Sequence, residues 1–372
     1  MKKGWQTKKL GEVATLQRGF DLPTQERVSG VYPLVSSSGI SDTHHKSAVR
    51  GPGVVTGRSG SIGNVFFIED DFWPLNTVLY IKEFHGNDPR FVFHLLNYFD
   101  LKRFATGTGV PTLNRNFVHD ELVFVPTSVA EQQRIVGLLD EAFEGLAIAK
   151  ANAEKNLQNA RALFESHLQS VFTQRDNGWV VKPLGEVCVV KDGTHDSPKY
   201  VTDGIPFVTQ KNIREDGLSF EKTKFISQMD HDDFYRRSNA AHGDILISMI
   251  GANRGMACKV DDERTFSIKN VGLVKQNPTI NQEFLLYFLK SPQAASFVKG
   301  ASKGGAQEFV GLTELRRFPV PLPSLERQNA FAETFQSLRE ETQRLARIYE
   351  RKLAALSELK KSLLHQAFTG EL

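Results

Sequence analysis

The sequence predicts an α+β protein built twice over: two similar mixed α/β globular domains separated by a pair of long antiparallel coiled-coil helices, with a pseudo-two-fold relation. Three observations carry this. Trp5-Gln6-Thr7-Lys8-Lys9-Leu10-Gly11-Glu12-Val13 returns 174 residues later as Trp179-Val180-Val181-Lys182-Pro183-Leu184-Gly185-Glu186-Val187. Val125-Pro126 followed by Glu131-Gln132-Gln133 returns as Val320-Pro321 followed by Glu326-Arg327-Gln328, now 195 residues on. Each copy then runs into a long stretch of helical texture. A repeat of about half the chain is too long for a solenoid and points to two similar domains with two similar sites.

Residues 1–127 read as the first globular domain. Gly53-Val54-Val55-Thr56, Val65-Phe66-Phe67-Ile68 and Val78-Leu79-Tyr80-Ile81 are short apolar runs bounded by Gly, Pro, Asp and Asn, as strands are. Phe91–Phe99 reads as a buried helix, and Phe284–Leu289 is its counterpart. Mixed at these spacings, the elements do not form a regular βαβ array.

Residues 128–174 read as the first helical region. Ser128-Val129-Ala130-Glu131 fits a capping box, and no proline follows until Pro183. Ile135, Leu139, Ala142, Leu146, Ala149, Ala153, Ala160 and Leu163 trace a 4,3 seam with a polar gap at Asn156. Residues 175–323 form the second globular domain and 324–372 the second helical region, whose seam is Phe331, Phe335, Leu338, Leu345, Tyr349, Leu356, Leu359 and Leu363. These narrow seams predict helices about 60 Å long that pack on each other side by side.

Composition narrows the function. With 372 residues, 40% hydrophobic and 24% charged, the chain is ordinary globular protein. It has no apolar run of membrane-spanning length and no signal-peptide pattern at Met1-Lys2-Lys3-Gly4-Trp5. Cys188 and Cys258 make no CxxC pair, which argues against zinc and a disulfide scaffold and for a reducing, cytoplasmic setting. The net charge of +3 neither makes nor breaks a nucleic-acid reading, because local patches can do the work.

Candidate DNA contacts lie in the polar loops. Gly57-Arg58-Ser59-Gly60-Ser61-Ile62-Gly63 is neither a dinucleotide fingerprint nor a P-loop, but it can present backbone N–H groups, Arg58 and Ser61 to a phosphate. A tight hairpin that needs glycine for positive φ explains the same pattern. The stretch Ile250-Gly251-Ala252-Asn253-Arg254-Gly255 matches it, with Asn253 and Arg254 as candidates. Further candidates are Ser37, Lys46, Asn114 and Arg115 in the first domain and His195, Lys199, Lys211, Lys269, Lys303 and Gln307 in the second. These side-chain types pair with base edges and phosphates, and each is equally an ordinary surface residue.

Enzyme signatures are poor. Asn277-Pro278-Thr279-Ile280 lacks the second proline and the aromatic of an amino-methyltransferase motif. Glu358-Leu359-Lys360 lies on the helical seam, His44-His45 lacks a matching carboxylate, and Asp230-His231-Asp232-Asp233 reads as a solvated turn or helix start.

The paired Trp…Leu-Gly-Glu-Val openings, the Val-Pro…Glu-x-Gln helix starts and the terminal Ala367-Phe368-Thr369-Gly370-Glu371-Leu372 occur in this order along the whole chain. In that order the chain resembles the specificity subunit of type I restriction–modification systems. The resemblance implies a non-catalytic subunit with two target-recognition domains, each reading one half of a split, asymmetric double-stranded DNA site. The helices would set the unread spacer and dock two methyltransferase subunits, which would bind S-adenosylmethionine; the chain itself would carry no cofactor and no metal. Restriction/translocase subunits would join for cleavage, and no membrane is involved. Two other readings stay open: a coiled-coil protein-binding scaffold without DNA specificity, and a self-contained DNA-modifying enzyme.

Overall fold

The structure, a computed structural model, describes residues 2–107, 111–175, 178–251, 253–301 and 309–372. The fold is α+β and divides into two compact units, Met1–Glu154 with Glu350–Leu372, and Lys155–Tyr349.

In the first unit a two-stranded ribbon pairs Trp5–Lys9 with Leu122–Pro126, Trp5 standing opposite Pro126. A four-stranded antiparallel sheet has the order Thr15–Arg18, Val78–Glu83, Gly53–Gly57, Val65–Ile68. A three-stranded sheet has Tyr32–Ser36 at its centre, antiparallel to Gly39–His44 and parallel to Trp73–Pro74. The second unit repeats this plan. Val180–Pro183 pairs with Pro319–Leu322. The four-stranded sheet runs Val190–Asp192, Val271–Val274, Ile245–Ser248, Ala257–Lys259. Ile205–Val208 lies antiparallel to Lys224–Ile226 and parallel to Ser267–Ile268. The four-residue helices Leu10–Val13 and Leu184–Val187 bury the Leu and Val of the repeated Leu-Gly-Glu-Val.

The two long helices, Val129–Thr173 and Leu325–Thr369, have 45 residues each. Each gives one half to each unit. In the first unit Arg134 donates to the Leu372 carbonyl at 3.0 Å and Lys360 lies over the Phe143 ring at 5.0 Å, so numbers rise on one helix as they fall on the other. Ile135 and Leu139 share an apolar cluster with Leu364, Ala367 and Phe368. In the second unit Phe172 meets Phe335 at 5.7 Å while Ala160 and Arg161 line one cavity with Gln343 and Ala346. The halves are antiparallel in both units.

The seam differs from the sequence expectation at four places. Leu163 is 49% exposed, and half-buried Phe164 takes its place. Half-buried Leu157 fills the expected gap at Asn156. On the second helix Leu359 is 47% exposed, while buried Thr342 sits between Leu338 and Leu345 and returns its hydroxyl to the Leu338 carbonyl at 2.8 Å. Where two apolar residues adjoin, a count of heptads alone does not choose between them.

A buried glutamine ties each long helix to its globular partner. Gln132 Oε1 accepts from the Asp88 N–H at 2.8 Å while Nε2 donates to Asn87 Oδ1 and to the Pro126 carbonyl. Gln328 Oε1 accepts from the Asn281 N–H at 3.0 Å while Nε2 donates to the Pro323 carbonyl. Asp88 and Asn281 are themselves N-caps of Pro89–Tyr98 and Gln282–Leu289. This corrects the sequence register at the helix starts. Gln132, not Gln133, is equivalent to Gln328, and the ribbon pairings set Pro126 against Pro323, leaving Thr127 as one extra residue. The Glu-x-Gln echo fits two frames; the bond to a buried N–H selects one.

Cys188 and Cys258 are free and buried, and burial pushes their thiols up to about 11 and about 12. Such thiols are inert at neutral pH. No helix among the described residues is long and apolar enough to cross a membrane. His44 is buried against the Val28 main chain, and Asp230 lies in the capped first turn of Gln228–Ser238. No group of metal-ligand type forms among the described residues.

Candidate nucleic-acid interface

In both units the site is built where the loop from an inner strand to the edge strand of the four-stranded sheet meets the end of the three-stranded sheet. In the first unit the strand Gly53–Gly57 leads into residues 58–64. Gly60 and Gly63 have φ of +82° and +88°, the left-handed region that glycine enters without strain. Gly57 is needed for another reason: a Cβ there would fall within 3.0 Å of the Ser61 carbonyl. The hairpin reading of these glycines therefore holds, and it leaves Ser61 exposed and Arg58 half-buried.

Five of the six expected first-domain contacts gather at this loop: Arg58 and Ser61 lie in it, and Ser37, Asn114 and Arg115 lie around it. Ser37 Oγ lies 3.2 Å from where a Cβ on Gly60 would be. The Arg58 guanidinium donates to the Asn76 carbonyl at 3.2 Å, and the Arg58 carbonyl accepts from the Leu113 N–H at 2.8 Å. That places Asn114 and exposed Arg115 beside it. Asn114 caps the helix Arg115–His119 by accepting from the Asn116 N–H, so its Oδ1 is committed. Lys46 stands apart. It follows His44 at the far end of the hairpin from Ser37, about 17 Å away for five residues of strand.

In the second unit a concavity of about 430 Å³ is lined by Gln210, Lys211, Lys222, Lys224 and Lys269 beside Tyr200 and Asn270. Its charges are mostly positive; among the described residues Glu221 is the one carboxylate in the lining, and it is held by Arg214 at 2.9 Å. Lys224 sits over the Tyr200 ring at 4.1 Å, and exposed Lys199 adjoins that ring in sequence. Lys269 donates to Ser197 Oγ at 2.5 Å. His195 Nδ1 lies 2.6 Å from Asn270 Oδ1, and Asn270 takes φ +51°, which asparagine tolerates. Lys211, Lys269 and His195 are thus brought together.

Asn253 and Arg254 are not in that group. They line a second cavity of about 1050 Å³ with Ala160, Arg161, Lys290 and Arg339. The Val310 N–H donates to the Met249 carbonyl as the Leu113 N–H does to Arg58, so the counterpart of Arg58 is Met249. The sequence match of Arg58 with Arg254 was one of composition, not position. Lys303 and Gln307 lie outside the described residues.

One pair of equivalent turns lies just past the Trp5–Val13 echo, at the same 174-residue offset, and carries no sequence motif. Gly19 and Gly193 both press their α-carbons on main chain, of Pro74-Leu75 and of Ile268. Around Gly19, Arg18 pairs with Asp21 at 3.2 Å, and Asn76 Nδ2 donates to Asp21. Around Gly193, Asp192 pairs with His195 at 3.2 Å, and His195 meets Asn270. Base and carboxylate exchange places while the asparagine stays. A surface meant to meet two different DNA sequences would vary in this way on a fixed frame.

The chain matches the family model for the type I restriction modification DNA specificity domain over residues 2–158 and 176–350. It is 22% identical to the type I restriction enzyme MjaVIII specificity subunit of Methanocaldococcus jannaschii, over 99% of this chain and 93% of that protein. It is 27% identical to the EcoBI specificity subunit of Escherichia coli over 46% of this chain and 36% of that one. Among solved structures, a chain from a study of assembly and conformational transition in the type I R-M system superposes with a TM-score of 0.78 at 20% identity, covering 100% and 99% of the two chains. The HsdS subunit from Thermoanaerobacter tengcongensis does so with a TM-score of 0.65 at 21% identity, covering 100% and 98%.

Proposed function

The chain belongs to the type I restriction–modification DNA specificity family, a DNA-recognition subunit without catalysis of its own, and from that premise we propose that its two units each read one half of a split, asymmetric target. The observation that carries this reading is the pair of equivalent sites with unlike side chains: Arg18, Asp21 and Ser37 against Asp192, His195 and Gln210 on one shared strand plan. Two copies of one frame suit a duplex approached twice, and unlike loops suit two unlike half-sites.

The 45-residue helices would fix the unread spacer and dock two methyltransferase subunits, which bring S-adenosylmethionine and the methylation chemistry; restriction/translocase subunits would join for cleavage. Within this reading the DNA contacts are Ser37, Arg58, Ser61, Asn114 and Arg115 in the first unit and His195, Lys199, Lys211 and Lys269 in the second. Lys46, Asn253 and Arg254 would serve phosphates away from those clusters, and Lys303 and Gln307 stay candidates from sequence. Two buried free cysteines suit the cytoplasm.

The test is reconstitution of the full chain with its methyltransferase subunits, followed by mapping of methylated adenines across a genome. A bipartite motif with a fixed gap supports the reading. Methylation scattered without a motif, by a complex that assembles, removes it.

A further inference from the structure

The parallel strand pairings give a residue-by-residue equivalence at the heart of each site. Leu34 and Val35 face Trp73 and Pro74, as Phe207 and Val208 face Ser267 and Ile268. Counting two residues on from Val35 and from Val208 makes Ser37 the equivalent of Gln210. The two side chains reach the same place. Ser37 Oγ lies 3.2 Å from a Cβ built on Gly60, and Gln210 Oε1 lies 3.1 Å from one built on Gly251. Both glycines have positive φ, +82° and +74°, and both sit in the loop after the equivalent central strand. The frame holds this position constant and changes only its chemistry, from a hydroxyl to a carboxamide.

Gln210 Oε1 is buried with no hydrogen-bond partner among the described residues. A carbonyl oxygen kept from water without a donor is unfavourable, and a ligand that supplies one relieves it. Lys211, Lys222, Lys224 and Lys269 line the same concavity and suit flanking phosphates. A carboxamide offers one acceptor and one donor side by side, the complement of the N6 amino group and N7 of adenine in the major groove. A serine hydroxyl, able to donate or accept, imposes no such choice.

We propose that positions 37 and 210 are the equivalent base-reading positions of the two units, and that the Gln210 carboxamide turns out of its pocket to take an adenine edge. This rests on the chain being a DNA-recognition subunit that reads one half-site per unit.

The experiment is binding-site selection from randomised duplexes by the full chain with its methyltransferase subunits, with Gln210→Ala, Gln210→Glu and Ser37→Gln beside the unaltered protein. Gln210→Ala is expected to lower discrimination at a single A·T pair of one half-site by roughly 5- to 150-fold and to leave the other half-site alone. Gln210→Glu, which keeps the side-chain shape should the alanine variant fail to assemble, is expected to move the preference at that pair toward cytosine. Ser37→Gln is expected to create an A·T preference in the other half-site. Uniform weakening without relaxation at any pair, an unchanged motif, or relaxation at a pair other than A·T overturns the assignment while DNA recognition stands. An unaltered complex with no preferred sequence overturns both together.

Discussion

His94 Nε2 lies 2.7 Å from Asp140 Oδ1, joining the helix Pro89–Tyr98 to the first long helix, and Asp140 also holds Arg90 at 3.0 Å. At the equivalent positions of the second unit, six residues past Asn281 and eight past Gln328, the Tyr287 hydroxyl donates to Gln336 at 2.8 Å. One junction titrates and the other is neutral.

Burial holds the His94 imidazole below its ordinary 6.5, against the opposing pull of Asp140. The unfolded chain therefore binds a proton that the folded unit resists. The stability this histidine confers is present above pH 6.5 and is lost as pH falls below it. Thermal unfolding followed from about pH 7.5 to about pH 5.5 should show the first unit weakening. The double change His94→Tyr with Asp140→Gln, which copies the second unit, should flatten that dependence. A first unit whose midpoint ignores pH in both forms would contradict the assignment.

The buried glutamines should be costly to replace. Gln132→Leu keeps the bulk and strands the Asp88 N–H, and Gln328→Leu strands that of Asn281. Each is expected to cost about 1–3 kcal/mol in urea unfolding, because a buried donor loses its partner. Gln133→Leu, on an exposed neighbour, should stay within about 0.5 kcal/mol. Equal effects at 132 and 133 would restore the register read from sequence.

Glycines divide by sign. Gly57→Ala drives a Cβ into the Ser61 carbonyl and should destabilise by about 1–3 kcal/mol while displacing the Arg58 loop. Gly137→Ala and Gly145→Ala, on the first long helix with nothing within 4 Å, should each stabilise by roughly 0.5–1 kcal/mol. Calorimetry on the three variants separates a required glycine from a merely tolerated one.

Inserting one heptad into each long helix should lengthen the spacer and spare the half-sites. Seven residues add about 10 Å at about 1.5 Å each, close to three base pairs at about 3.4 Å per step. Sequencing of methylated sites reads the gap directly. An assembled complex with the longer helices and the old gap would show that something else sets the distance.

The repeated openings and the long helices were legible because they depend on local pattern: Leu-Gly-Glu-Val buries its Leu and Val in both units, and a 4,3 seam is visible without tertiary contacts. The choices of Leu163 over Phe164 and of Gln133 over Gln132 went wrong where two neighbours satisfied the same local rule and only packing distinguished them. Arg58 and Arg254 looked alike because composition survives a change of loop length and position does not. The parallel pairing of Tyr32–Ser36 with Trp73–Pro74, which makes Ser37 and Gln210 equivalent, joins segments some forty residues apart and leaves no periodic trace. Lys46, a candidate by side-chain type alone, lies beyond the far end of the hairpin from Ser37.

The sharing of both long helices between the units sets an order of assembly during synthesis. Residues Lys155–Tyr349 are contiguous, whereas the first unit needs Glu350–Leu372 as well as everything up to Glu154. Leu364, Ala367 and Phe368 complete the cluster around Phe91, Ile135 and Leu139, with Phe368 meeting Phe91 at 5.4 Å. Where domains ordinarily finish in the order they are made, every residue of the second unit here precedes the Glu350–Leu372 segment that the first unit still needs. Until Glu350–Leu372 is made, the first unit keeps an uncovered apolar stripe, so a polypeptide cut short before that segment displays the surface that chaperones and proteases recognise.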